Sequence, residues 1–206
     1  MEFHDEITSL ILSPSSSDIL EKRDEFIMMR RATAEELFSE LCFCILAANT
    51  SAEMGLRTQK IVGTRRLISM SEYDLSRLLH LVRYRFYNVR SKFIVSARSI
   101  MYDLPEIVQS SDLTGSREYL VQNVAGIGYK EASHFLRNVG IFKFAILDKH
   151  IQSILSEMLN IRIGSMTSKR YIEIEEKMVE ISEKYSMEPG IFDLYLWKLA
   201  TGSIIK

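Results

Sequence analysis

The chain has 206 residues, 47% of them hydrophobic, a formal net charge of −1, and only nine glycines and three prolines. That suits one compact domain or two small ones around a sizeable core, with little room for long linkers. No run of about 18 apolar residues is available to cross a membrane, and the acidic, polar start "MEFHDEITSL" is unlike a secretion signal, so a cytoplasmic protein is expected.

In chain order, "SPSSSD" at 13–18 reads as a short loop. Thr33 followed by Glu36 is a capping box, and it opens a helix with Leu37, Leu41 and Cys44/Ile45 on one face. Cys42 and Cys44 lie on this apolar stretch. Two cysteines are too few for a disulfide framework or a four-cysteine metal site and read as buried thiols. A second helix starts near Ser51. Ser71 caps a third, with Leu75, Leu78, Leu79 and Val82 inward. Residues 87–101 give a fourth, with Val89, Phe93, Ile94 and Ala97 inward and Pro105 following its end. Ser116 opens a short helix to Val121. Another helix runs from about 129 to 139 and stops at Gly140. Asp148 precedes "KHIQSILSEML", Ser168 opens a helix with Ile174, Met178, Ile181 and Tyr185 on one face, and Pro189 sits in the first turn of the last helix. No segment makes a convincing strand, so the fold class is all-α.

The charge is unevenly spread. Between Asp74 and Asp103 there is no carboxylate but six basic residues: Arg77, Arg83, Arg85, Arg90, Lys92 and Arg98. Four more, Arg57, Lys60, Arg65 and Arg66, lie between Glu53 and Glu72. Such asymmetry can give a near-neutral protein a basic face that tracks phosphates; solvated helix faces account for the charge equally well.

The segment "VAGIGYKEA" places Gly126 and Gly128 in a tight turn between a short helix and a longer one. Glycines there allow unusual backbone angles and close approach of a ligand, and the following helix points free N–H groups at the turn, an arrangement suited to a phosphate. A simple helix–helix corner is the commoner explanation of an isolated Gly-x-Gly. A kinase-like or dinucleotide-binding loop is disfavoured, because both need a preceding strand and a third glycine.

The extended stretch "VQNVAGIGYKEASHFLRNVG" resembles the helix-hairpin-helix of the base-excision DNA glycosylases, the superfamily with a hairpin, a Gly/Pro-rich loop and an aspartate. Its hairpin reads roughly L-P-G-[IV]-G-x-K-x-A, matched here by Val124, Ala125, Gly126, Ile127, Gly128, Lys130 and Ala132; Ala125 replaces the family's proline. A lysine at the position of Lys130 marks the bifunctional members. The family aspartate follows 18 residues later, and "FAILDKHI" places Asp148 there (148 − 130 = 18). "LAANTSAEMG" resembles a segment whose polar residue, Asn49 here, probes the space left by an extruded base. No cysteine follows Cys44, so the iron–sulfur cluster of endonuclease III is not expected. The tail "LYLWKLATGSIIK" resembles the archaeal-type 8-oxoguanine DNA glycosylases, in which a tryptophan and a C-terminal lysine line the base pocket; Trp197 and Lys206 match them. From the residues alone, Trp197 fits a core or interlobe position as well, and a frayed end is the favoured reading of Lys206.

The resemblance implies two helical lobes with the active site in the cleft between them: residues 30–142 carrying the hairpin, and a second lobe from 1–29 and 143–206. It implies a glycosylase/AP lyase that removes 8-oxoguanine from double-stranded DNA as a monomer, with Lys130 as nucleophile and Asp148 assisting. Gly126, Gly128, Arg83, Arg85 and Arg90 are expected at phosphates. Phe86 is expected as a wedge or pocket wall, with a core position equally open. No cofactor is expected beyond a structural Na+ or K+ on the backbone carbonyls of Gln122, Val124 and Ile127. His134 and His150 have no partners at metal-ligand spacing and read as surface or packing histidines. The alternatives are an oxidised-pyrimidine glycosylase like endonuclease III, a non-catalytic helix-hairpin-helix DNA-binding protein, and an all-helical scaffold.

Overall fold

A computed structural model describes residues 2–204, and within it the chain is helical throughout with no strand. The helices are α1 (Glu2–Leu12), α2 (Ser16–Met29), α3 (Ala34–Ala47), α4 (Ala52–Val62), α5 (Thr64–Ser69), α6 (Glu72–Leu81) and α7 (Tyr87–Ala97). After a 3₁₀ turn (Arg98–Asp103) come α8 (Leu104–Gln109), α9 (Leu113–Asn123), α10 (Tyr129–Asn138), α11 (Lys149–Met158), α12 (Ser168–Glu183) and α13 (Pro189–Thr201).

Helix α3 is the axis of the first lobe. Its capping box forms as the sequence requires, with the Glu36 amide donating to Thr33 Oγ1 and the Thr33 amide donating to Glu36. Nine consecutive or near-consecutive positions of α3 are buried, because α4, α5, α7, α8 and α10 pack around it. A helix covered on every side needs apolar residues on every side, which is why its pattern is almost continuous. Cys42 and Cys44 lie here, fully buried, and burial pushes the Cys42 thiol far above its ordinary range; it is an inert packing group.

The first core draws on residues 37–144. A second gathers Ile7 with residues 145–196, and a small third, built on Ile19, Phe26, Phe142 and Tyr195, lies where the two meet. The chain therefore forms two lobes, and the segment 141–148 crosses from one to the other.

Several elements differ from their sequence reading. The loop at 13–18 is shorter, because Ser16 already begins α2. Asp112, not Ser116, caps α9: its carboxylate accepts the Gly115 amide at 2.9 Å, while Ser116 is buried and its hydroxyl donates to the Ile107 carbonyl. The helix expected over 87–101 becomes 3₁₀ after Ala97, and Pro105 starts α8 in its first turn rather than following a helix end. Val89 is 47% exposed, because the inward face of α7 is set by Arg90, Ser91, Ile94 and Ala97. Gly140 stops α10 as expected, at φ +80°, where a Cβ would lie 2.9 Å from the Phe26 carbonyl oxygen.

Candidate active site

A cleft of about 410 Å³ opens where the lobes meet. Lys130 enters it from the second position of α10, Asp148 from the N-cap of α11, Trp197 from α13, and Asn49 from the turn between α3 and α4. Four residues spread over nearly 150 positions of sequence thus face one space.

Asp148 is held firmly. Its Oδ1 accepts the amides of His150 (2.8 Å) and Ile151 (2.9 Å), so it caps α11, and its own amide donates to the Ile146 carbonyl at 2.9 Å. Helix N-termini favour negative charge, which stabilises a carboxylate at this point. One oxygen, Oδ1, accepts both cap amides. Lys130 is partly exposed, at 34% of its side chain, and its Nζ lies 3.2 Å from Glu131. Glu131 also accepts the Gly128 amide at 3.3 Å, so one carboxylate caps the hairpin helix and steadies the lysine. An ion pair this open is worth only about 0.2–1 kcal/mol and is readily given up.

The two hairpin glycines are unlike each other. Gly126 has φ +80°, and a Cβ there would lie 2.3 Å from the Phe93 ring, so both backbone and space require glycine. Gly128 is extended (φ −106°, ψ −171°), and a Cβ would meet only Glu131 at 3.5 Å. Packing within the chain does not demand a glycine at 128.

Arg90, expected among the phosphate-facing cations, is instead 5% exposed. Its Nη2 donates to the Ala48 carbonyl at 2.7 Å, and its guanidinium stacks over Phe86 and Phe93. A cation at a helix C-terminus is favourable, and Arg90 with Tyr84, whose hydroxyl donates to the Leu46 carbonyl at 2.6 Å, finishes α3. This fixes Asn49, which sits exposed at φ +59°, a conformation asparagine tolerates better than most residues. Arg83 and Arg85 are exposed; the Arg85 guanidinium lies 5.0 Å from the Phe86 ring, which is half-buried against the first core. Neither these residues nor Phe86 line the cleft. Arg98, another member of the basic run, donates to the Leu67 carbonyl. Gln122 is exposed, Val124 and Ile127 are buried, and the Val124 carbonyl accepts the Ile127 amide. Lys206 lies outside the described residues.

Two groups at the cleft floor escaped the sequence reading. Arg137 on α10 and Asp193 on α13 form a buried ion pair at 2.6 Å. Burial, opposed by Arg137 and the Ile146 amide and reinforced by the charge of Asp148, lifts the Asp193 carboxyl to about 7. A carboxyl so displaced, in a cleft beside a second one, is a candidate functional group, although its buried pairing with Arg137 is also what a structural ion pair would show. Their 56-residue separation left no local pattern to detect. His150 and His134 both line the cleft as packing residues: the first stands edge-on to Trp197 at 5.3 Å, the second edge-on to Phe43. The Trp197 indole N–H is buried with no partner among the described residues.

A helical hairpin whose second helix carries a lysine, lining one interlobe cleft together with an N-cap aspartate, is the architecture of a helix-hairpin-helix protein. A family model described as 8-oxoguanine DNA glycosylase matches residues 19–187, and the chain belongs to that family. It is 52% identical over 190 residues to the 8-oxoguanine DNA glycosylase/AP lyase of Thermoplasma acidophilum, covering 92% of each chain, and 46% identical to that of Thermoplasma volcanium over the whole of both. Among solved structures it is similar to the Methanocaldococcus jannaschii 8-oxoguanine glycosylase/lyase in complex with a 15mer DNA containing 8-oxoguanine. That match has a TM-score of 0.95 at 38% identity and covers 100% of both chains. The 8-oxoguanine DNA glycosylase of Thermotoga maritima matches with a TM-score of 0.92 at 37% identity, covering 100% of this chain and 99% of that one. No helix among the described residues is long and apolar enough to cross a membrane.

Proposed function

We propose that this chain is a bifunctional DNA glycosylase/AP lyase that removes 8-oxoguanine and then cuts the strand, with Lys130 as nucleophile and Asp148 as its partner. The carrying observation is that both residues converge on one cleft beside the hairpin in a member of this family.

A base stacked in a duplex cannot present its glycosidic bond, so the nucleotide must swing out into the cleft, where Trp197 offers an aromatic face. Lys130 Nζ, as free amine, forms a bond to C1′ of the deoxyribose. The bond from C1′ to the base breaks, and the base leaves with the electron pair and takes up a proton. The Asp148 oxygen not tied to the cap stabilises the positive charge that grows on the sugar. Loss of the amine's proton and opening of the sugar ring give a Schiff base. Removal of a C2′ proton then expels the 3′ phosphate by β-elimination, and hydrolysis frees the lysine.

The exposed hairpin tip and Gly128 fit a phosphate at the N-terminus of α10, without sequence reading. Arg83 and Arg85 extend that grip, and Phe86, exposed on one side beside Arg85, enters the stack where the nucleotide left. The carbonyls of Gln122, Val124 and Ile127 would hold a monovalent cation; Val124 keeps a second lone pair for it after accepting the Ile127 amide. Such an ion would supply positive charge for phosphate binding and no step of the reaction.

The test is a panel of duplexes bearing 8-oxoguanine, an oxidised pyrimidine, or no lesion. Release of the base and nicking are expected for 8-oxoguanine alone. Preference for the oxidised pyrimidine would reassign the lesion, and binding without scission would leave only a DNA-binding protein.

A further inference from the structure

The reaction needs Lys130 and Asp148 at a fixed separation, yet they stand on different helices at the lobe boundary. Contacts behind them bear on that distance. Helix α12 supplies them through two side chains one turn apart, Tyr171 and Glu175, both nearly fully buried (3% and 6% exposed).

On the aspartate side, these residues clip the segment that delivers Asp148. The Tyr171 hydroxyl donates to the Ala145 carbonyl at 2.7 Å and accepts the Leu147 amide at 3.2 Å. Glu175 Oε1 accepts the Ala145 amide at 3.1 Å. Both backbone polar groups of residue 145, and the amide adjoining Asp148, are thus answered by α12 rather than by a strand. Burial pushes the Tyr171 hydroxyl well above its ordinary range, so it remains a donor. On the lysine side, Arg117 of α9 donates through Nη1 to both Glu175 oxygens (2.6 and 2.7 Å) and to Ser133 of α10 at 3.2 Å. Tyr129, which adjoins Lys130, stacks on the Tyr171 ring at 5.8 Å and donates its hydroxyl to Glu118 of α9. Both hairpin helices and the approach to Asp148 meet on the same two residues.

We infer that Tyr171 and Glu175 are positioning residues for the reaction, a brace on α12 that sets Asp148 against Lys130. This rests on the reading of Lys130 and Asp148 given above. The chemistry asks for it. A misplacement of about 1 Å can cost on the order of a hundredfold in rate, and segment 145–148 has no secondary structure of its own to hold it.

Tyr171→Phe keeps the ring and removes both hydroxyl contacts. The measurement is single-turnover release of 8-oxoguanine, corrected for the active fraction by end-point borohydride trapping, alongside the Kd for the lesion duplex. The rate is expected to fall between about tenfold and a hundredfold while Kd stays within about twofold. A role in folding alone would lower the active fraction and leave the corrected rate at the wild-type value; that result overturns the brace. If Tyr171→Phe does not fold, Tyr129 decides. It is only partly buried, and Tyr129→Leu, which deletes the stack, should slow the corrected rate severalfold, with Tyr129→Phe restoring it. Equal rates in the two variants count against the brace. Lys130→Gln is run in parallel. Persistent trapping there defeats the assignment of the nucleophile itself, whereas loss of trapping with a wild-type rate in Tyr171→Phe defeats the brace alone.

Discussion

The hairpin glycines give the sharpest separation between packing and DNA contact. Gly126→Ala places a methyl at φ +80°, which costs about 1–2 kcal/mol for an L-residue. That methyl would also sit 2.3 Å from the Phe93 ring and 2.9 Å from Arg90, and overpacking of this kind adds about 1–3 kcal/mol. A total of about 2–5 kcal/mol corresponds, for a chain of this size, to a fall in Tm of roughly 4–20 °C. Gly128→Ala meets an allowed backbone and only an ordinary contact at 3.5 Å. It gains about 0.4–1 kcal/mol from the unfolded chain and loses up to about 1 kcal/mol at the cap, so Tm should barely move. If a phosphate approaches the Gly128 backbone, the same methyl stands in its way, and affinity for duplex should fall by about tenfold or more, equivalent to about 1.4 kcal/mol. The assays are thermal unfolding and binding to an undamaged duplex at fixed salt, since backbone contacts are sequence-independent and salt-sensitive. Equal loss of Tm in the two variants, or wild-type binding by Gly128→Ala, would refute the reasoning.

Asp148→Asn keeps a competent cap for α11, so the fold and lesion binding should persist. Base release should fall by about 10²–10³, the scale for removing one preorganised electrostatic group; normal single-turnover kinetics would remove Asp148 from the chemistry. Asp193 makes stability depend on pH. Its folded carboxyl titrates at about 7 against 3.8 when free, so between these values the folded state holds a proton that the unfolded chain has lost. Its contribution is complete below the free value and declines as pH rises towards 7. Urea unfolding at pH 5 and pH 8 should therefore show a smaller loss at the higher pH for Asp193→Asn than for wild type; equal losses contradict the shift. Arg137→Met leaves Asp193 buried without its partner and should cost up to about 3–5 kcal/mol above pH 7, where the carboxylate is charged, and less at pH 5, read from the denaturation midpoint. Phe86→Ala, at a half-buried edge, should slow lesion capture with little change in Tm, and an unaltered excision rate at limiting enzyme would remove it from the duplex contact.

What was legible in the sequence follows physical range. Helices announced themselves through local signals: the Thr33–Glu36 capping box, Ser51 and Ser71 caps, Pro189 in a first turn, and the periodic apolar faces of α6 and α12. Lys130 and Asp148 could be paired from the sequence because their 18-residue spacing matches the family motif, and both line one cleft. Errors arose where a side chain's partner is a backbone group or lies far along the chain. Arg90 has no carboxylate near it in sequence and so read as a surface cation, but its partner is the Ala48 carbonyl 42 residues away. Ser116 looked like a cap because its hydroxyl could serve as one; Asp112 took the Gly115 amide and left Ser116 to the Ile107 carbonyl. The ion pairs Arg117–Glu175 and Arg137–Asp193 span 58 and 56 residues and join different lobes, so no spacing rule could find them.

Lys130 is proposed as the amine that forms the Schiff base. Incubation with an 8-oxoguanine duplex followed by borohydride should convert wild-type protein into a covalent complex with DNA, and Lys130→Gln should give none while still binding the duplex. Among the described residues, Lys149 is the other lysine lining the cleft. Trapping that survives Lys130→Gln, above all if Lys149→Gln abolishes it, would contradict the account.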